Sequence, residues 1–100
     1  MDATAFIRLV TDYLDQLLET IEASYWQVVD CELSAGVLNI YTNNRGTFII
    51  NRNIPRQELW LSSPLSGGAH FTYADKKWLN TRTNESFEAL LFSELDQLTS

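Results

Sequence analysis

One cysteine, Cys31, and one histidine, His70, are all that the sequence has of either. No disulfide can close within the chain, and no cysteine cage for zinc or an iron–sulfur cluster can be built from it. Paired histidine ligands, a Ser/His/Asp set and a Gly-rich phosphate loop are missing as well, so nucleophilic catalysis has poor material. No run approaches the roughly 20 apolar residues that span a bilayer. Met1 leads almost at once into an amphipathic pattern, without a basic leader or an Arg- and Ser-rich one. The expectation is a cytoplasmic protein that is not exported and touches no membrane. Bases are scarce in one place above all. Residues 1–32 hold seven acids and one base, Arg8, whereas residues 33–100 hold six of each, so the whole net charge of −6 sits in the first third. That argues against nucleic acid, whose phosphates would be repelled. It favours a basic protein surface or a cation as partner.

What is present is enough for one small core. One hundred residues, 45% apolar and 20% charged, make a single domain over 1–100 with little surplus. From Ala3 to Ala23 the pattern is helical: Phe6, Val10, Tyr13, Leu14, Leu17 and Ile21 form one stripe. Asp12, Asp15, Glu19 and Glu22 lie opposite, spaced three, four and three apart. A solvated helix face would explain polarity there but not a single sign, since mixed signs gain i,i+4 pairs and like charges cost a few tenths of a kcal/mol each. Trp26 to Leu33 reads as a strand with Val29, Cys31 and Leu33 inward and Val28, Asp30 and Glu32 outward. Cys31 is then a buried small hydrophobe. Asp30 and Glu32 either extend the helical stripe or guard a sheet edge against pairing.

Short strands and tight turns follow. Val37 to Thr42 places Leu38 and Ile40 inside. Asn43 to Gly46 is a hairpin turn suited to positive φ. Thr47 to Asn51 turns Phe48 and Ile50 inward. Pro55, Pro64 and Gly67-Gly68 bound a strand from Gln57 to Ser62, with Leu59 and Leu61 inward and Glu58, Trp60 and Ser62 outward. Ala69 to Ala74 places Phe71 and Tyr73 inward and His70 outward. Asp75-Lys76 turns into a short strand around Trp78. Thr83 or Asn84 caps a last helix whose Phe87, Leu90, Leu91, Glu94 and Leu95 share the 3.6-residue period. The fold expected is α+β: a two-layer sandwich, with N- and C-terminal helices on one face of an antiparallel meander of about six short strands. The outer sheet face stays wet.

Two surfaces stand out. Asn51, Trp60 and His70, on successive strands, would form one outward patch, with Gln57 and Arg52 near its rim. Trp supplies rigid area and an N–H donor at interfaces, although a ring lying flat could simply shield the sheet. The single-signed acids Asp12, Asp15, Glu19, Glu22, Asp30 and Glu32 offer oxygen ligands to hard or borderline cations such as Mg²⁺, Ca²⁺, Mn²⁺ and Fe²⁺/Fe³⁺. Such sites are open, so weak and unselective binding is expected.

Three segments carry a resemblance. Val29-Asp30-Cys31-Glu32-Leu33-Ser34-Ala35-Gly36-Val37-Leu38, Ile49-Ile50-Asn51-Arg52 and Gln57-Glu58-Leu59-Trp60-Leu61-Ser62-Ser63-Pro64-Leu65-Ser66-Gly67 resemble the frataxin family, in its bacterial, CyaY-type form. The resemblance covers nearly the whole chain and implies a role in iron–sulfur cluster biogenesis. Iron, Fe²⁺ or Fe³⁺, would be held weakly and reversibly on a ridge of Asp12, Asp15, Glu19, Glu22, Asp30 and Glu32, with Asp2 a further candidate. The partners implied are a cysteine desulfurase and the cluster scaffold protein, met in part through Asn51, Gln57, Trp60 and His70. Residues 23–28 lack the acids that relatives often have there, which implies fewer or weaker iron sites. The sequence stops soon after its last helix, where longer tails would cover the groove between helices, so modest stability is expected. The leading expectation is a non-catalytic, iron-responsive adaptor, working as a monomer or as iron-dependent oligomers. The alternatives are ferroxidase-like iron storage and a protein-binding module with no metal role.

Overall fold

The computed structural model describes residues 1–99. Helix α1 runs Ala3–Tyr25, strands β1 Val29–Ser34, β2 Val37–Thr42, β3 Thr47–Asn53, β4 Glu58–Ser63, β5 Gly67–Ala74 and β6 Lys77–Asn80 follow, and helix α2 spans Phe87–Thr99. The six strands lie in one sheet in the order of the sequence, each antiparallel to the next. Both helices cover its inner face. No described helix is long and apolar enough to cross a membrane.

The core follows from the two periodicities. Phe6, Val10, Leu14, Leu17 and Ile21 descend from α1, and Phe87, Leu91 and Leu95 from α2. They meet Leu38, Ile40, Phe48, Ile50, Leu59, Leu61, Phe71 and Trp78 on the inner sheet face. The helices run in the same direction. Tyr13, midway along α1, donates to Glu88 Oε2 in the first turn of α2 at 2.8 Å, and Tyr25 at the end of α1 donates to Asp96 Oδ1 near the end of α2 at 2.5 Å.

Several boundaries differ from the sequence reading, each for a local reason. Asp2 is the N-cap of α1: its Oδ1 accepts from the Ala5 amide at 2.7 Å, which satisfies an otherwise orphaned donor. The helix continues to Tyr25, and Trp26 to Val28 form a turn and not the start of a strand. Gln57 lies in the turn before β4, with φ of 52°. The cap of α2 is Ser86, whose Oγ accepts from the Ala89 amide at 3.1 Å. Thr83 and Asn84 belong instead to a loop folded back along β6, where the Asn80 amide donates to the Glu85 carbonyl and Leu79 bridges Ser86. Tyr73 has the inward parity expected, but its ring lies at the rim against Trp78, at 5.1 Å between centroids, and stays 36% exposed.

The β1–β2 turn needs its glycine. Gly36 has φ of +79°, and a Cβ there would stand 2.0 Å from an Arg52 guanidinium nitrogen. Gly36→Ala is therefore expected to cost about 1–2 kcal/mol, from the left-handed backbone and from displacing Arg52. The neighbouring Ala35 also sits at positive φ, 52°, so Ala35→Gly is expected to be neutral or stabilising. Urea melts of the two variants check the contrast; equal midpoints would remove the steric account.

Candidate functional site

The outer sheet face is organised by register. Asn51 pairs with Trp60 across β3 and β4, and Trp60 pairs with His70 across β4 and β5, so these three side chains form one row. The Trp60 indole and the His70 imidazole stack, with centroids 4.2 Å apart and planes 8° from parallel. Glu58 completes the group. It precedes Trp60 by two residues, shares its face, and its Oε1 accepts from Trp60 Nε1 at 2.8 Å. His70 Nδ1 lies 3.7 Å from the same oxygen. One carboxylate oxygen thus faces both rings, holding the indole in place while Trp60 remains half-buried. The sequence reading placed Glu58 on this face but did not group it with Trp60; the signal was the two-residue spacing alone. Gln57 is elsewhere. Its amide bonds to Met1, with Oε1 accepting from the terminal ammonium at 3.3 Å and Nε2 donating to the Met1 carbonyl at 2.5 Å. It ties the start of the chain to the sheet and does not join the row.

The acids form the second surface. Asp12, Asp15, Glu19 and Glu22 are exposed along α1, and Asp30 and Glu32 are exposed on β1. Among the described residues, none of the six makes an ion pair with Lys or Arg. The helix set and the strand set meet around Cys31, whose thiol is pushed up to about 11, first by burial, then by the charges of Glu22 and Asp30. Glu32 Oε1 accepts from the Tyr41 hydroxyl at 3.1 Å, and this bond is the main reason that the Tyr41 hydroxyl titrates above its ordinary range. The row is not uniform. Asp12, at one end, shares a groove of about 420 Å³ with Lys76 and Lys77, which dilutes the negative field there.

No three His, Cys, Asp or Glu side chains among the described residues converge closely enough to cage a metal. Neighbouring helix positions with Cβ atoms about 5–6 Å apart can share a cation between two carboxylates, with water completing its shell. The donor set suits loose loading by a hard or borderline cation.

Cys31 reports on the meeting of the two acid sets. Because its folded pKa is raised, the thiolate fraction at pH 8 is far below that of a free thiol, and iodoacetamide is expected to react correspondingly slowly. Glu22→Gln with Asp30→Asn is expected to speed the reaction at pH 9 about twofold, and no more, since burial is the larger cause. An unchanged rate in the double variant would show that these two carboxylates do not act on the thiol.

The comparisons with known proteins agree with this architecture. A family model described as a frataxin-like domain matches residues 1–100. The mitochondrial frataxin of Dictyostelium discoideum is 36% identical over 88 residues, 86% of this chain and 46% of that protein. The mitochondrial frataxin homolog of Saccharomyces cerevisiae is 34% identical over 93 residues, 89% of this chain and 53% of that protein. The chain thus spans about half the length of these two relatives. A protein named iron-sulfur cluster assembly protein CyaY, from Neisseria meningitidis, is 34% identical over 91 residues, 91% of this chain and 83% of its own. Among solved structures, the frataxin of Psychromonas ingrahamii superposes with a TM-score of 0.84 at 28% identity, over 97% of this chain and 90% of that one. A trimeric frataxin from Saccharomyces cerevisiae, complexed with ferrous iron, gives 0.82 at 32% identity, over 89% of this chain and 83% of that one. With a family model that covers the sequence from end to end and a bacterial relative matched over most of its own length, this chain belongs to the frataxin family.

Proposed function

We propose that this chain is a non-catalytic, iron-responsive adaptor of iron–sulfur cluster assembly in the cytoplasm. It docks on a cysteine desulfurase through the acidic row and meets the cluster scaffold protein through the Trp60 face. The observation that carries the reading is the row itself: six exposed carboxylates on α1 and β1, without a Lys or Arg partner among the described residues. Evolution of a merely soluble face does not require one sign, whereas steering towards a basic surface does. The names of the CyaY and frataxin relatives point to the same process. Iron is cargo in this reading, held by one or two carboxylates and released easily, because no denser cluster of donors forms among the described residues. The same lack of a histidine-bearing donor cluster disfavours a tuned ferroxidase centre. Two separate surfaces on one copy are enough to engage two partners, so a monomer suffices.

Charge reversal tests the electrostatic part. The triple variant Asp15→Lys, Glu19→Lys and Glu22→Lys is expected to bind a purified cysteine desulfurase at least about tenfold more weakly at low salt, about 1.4 kcal/mol. Its residual binding is expected to depend less on ionic strength than that of the wild type. Unchanged low-salt affinity would remove the acidic row from the interface. In the same assay Trp60→Ala is expected to leave desulfurase binding and the circular dichroism spectrum intact while slowing cluster assembly on the scaffold. Loss of the folded spectrum would make Trp60 a shield for the sheet and not an anchor.

A further inference from the structure

The corner at which both helices end holds features that the acidic row does not account for. Tyr25 brings the end of α1 against Asp96 of α2, and neither helix has a basic residue in its last turn. Unpaired carbonyls at helix ends carry partial negative charge and attract cations. Trp26 caps α1 and is 68% exposed, more than any other large apolar side chain of the chain's described residues. Its backbone is fixed. Trp26 has helical φ and ψ of −56° and −26°, and the Val28 amide closes the turn on the Tyr25 carbonyl at 2.9 Å. Tyr25 beside it stacks on Phe92 and bonds to Asp96. An indole on a fixed backbone position and left in water is unusual for a small domain.

A groove of about 330 Å³ opens beside Trp26 and is lined also by Val28, Asp30, Tyr41 and Asn43. A second hollow, of about 440 Å³, is also lined by Trp26 and includes Asp96. Neither contains a Lys or an Arg. The groove therefore combines the aromatic side chains of Trp26 and Tyr41, the apolar Val28, the carboxylate of Asp30 and a field of negative sign. That combination suits a side chain with a flat, delocalised positive charge on an aliphatic stem.

The geometry points to an arginine side chain, carried by a basic segment of a protein partner, as the occupant of this corner. The guanidinium stacks on Trp26 and pairs with Asp30, while its stem lies along Val28. Arginine fits better than lysine because its planar head is less strongly hydrated and stacks on aromatic faces. This inference rests on the docking reading above and deepens it. The acidic row attracts any basic surface, whereas the Trp26 corner selects among basic residues and fixes the register of docking.

The test uses the full chain, labelled with ¹⁵N, and two synthetic peptides of alternating glycine with arginine or with lysine. On adding the arginine peptide, the Trp26 indole N–H signal is expected to move together with the amides of Val28, Asp30 and Asn43. The arginine peptide is expected to bind about fivefold more tightly than the lysine peptide. Trp26→Ala is expected to abolish that preference while leaving the affinity for the lysine peptide within about twofold. Trp26→Leu, which keeps apolar bulk without a π face, is expected to do the same and covers the case in which the alanine variant does not fold. Shifts along residues 12–22 with none at Trp26, or equal affinity of the wild type for both peptides, would overturn the arginine seat and leave the acidic row standing. No shift at either place would overturn both. Movement of the Trp26 signal with protein concentration alone would assign the corner to a second copy of the chain and overturn the proposal.

Discussion

Phe71→Ala is expected to destabilise the protein by about 3–5 kcal/mol. Phe71 is wholly buried on the inner face of β5 and meets the Phe87 ring edge-on, at 5.1 Å and 87°. It is where the sheet supports the first turn of α2, so the cavity opens at a junction of two elements and cannot close by moving one side chain. A domain of this size has roughly 5–15 kcal/mol in total. The loss is therefore a large part of the whole and lowers Tm by on the order of 15 °C or more. Urea denaturation measures it, with an unchanged m-value showing that stability alone has moved. Thr72, the next residue, faces water, and Thr72→Ala is expected to stay within about 0.5 kcal/mol. A loss below about 1.5 kcal/mol at Phe71 would mean that α2 repacks and that the junction is softer than its geometry.

Ser63→Ala is expected to cost about 2–4 kcal/mol, far more than a serine usually contributes. Glu94 is 5% exposed, and Ser63 Oγ bonds to its Oε1 at 2.5 Å. The same Oγ accepts from the amides of Leu65 and Ser66, at 3.0 and 3.1 Å. One hydroxyl thus satisfies a buried carboxyl group and two loop amides, and its removal leaves all three short of a partner. Replacing both partners with apolar groups removes the unpaired acid along with the hydroxyl. Ser63→Ala with Glu94→Leu is accordingly expected to recover more than half of the loss, and chemical denaturation of the three proteins decides. A single variant within about 0.5 kcal/mol of the wild type would show that water replaces the hydroxyl.

Glu94 also shows where sequence pattern is informative and where it stops. Its helical phase placed an acid on an apolar stripe, correctly, but phase cannot name a partner 31 residues away. Parity gave the most for the least. Leu59 and Leu61 inside and Trp60 outside follow from alternation, and the register confirms the row of Asn51, Trp60 and His70. Strand order followed from the tight turns. The cap of α2 was lost because Thr83, Asn84 and Ser86 are all chemically competent caps; the bridge between Leu79 and Ser86 decides among them, and that contact is tertiary. Trp26 was read as the start of a strand because Val28 to Leu33 alternates cleanly and nothing local stops the pattern from reaching back. The two further residues of α1 are held by Tyr25, through Phe92 and Asp96 of the other helix. Gln57 looked like a rim residue for the same reason: its bonds to Met1 join positions 56 apart.

The order of the strands bears on how the chain reaches this structure. Every strand lies beside its neighbour in sequence, so the sheet can grow one hairpin at a time, and no crossover has to be threaded. Loop closures of this kind are short, and their entropy cost rises only slowly with length. The meeting of α2 with α1 joins segments from opposite ends of the chain, and Met1 with Gln57 and Phe6 with Trp78 also span long stretches of sequence. Contacts of large sequence separation slow folding, so substitutions at the contact of Tyr13 with Phe87 are expected to act on the docking of the two helices and not on the growth of the hairpins.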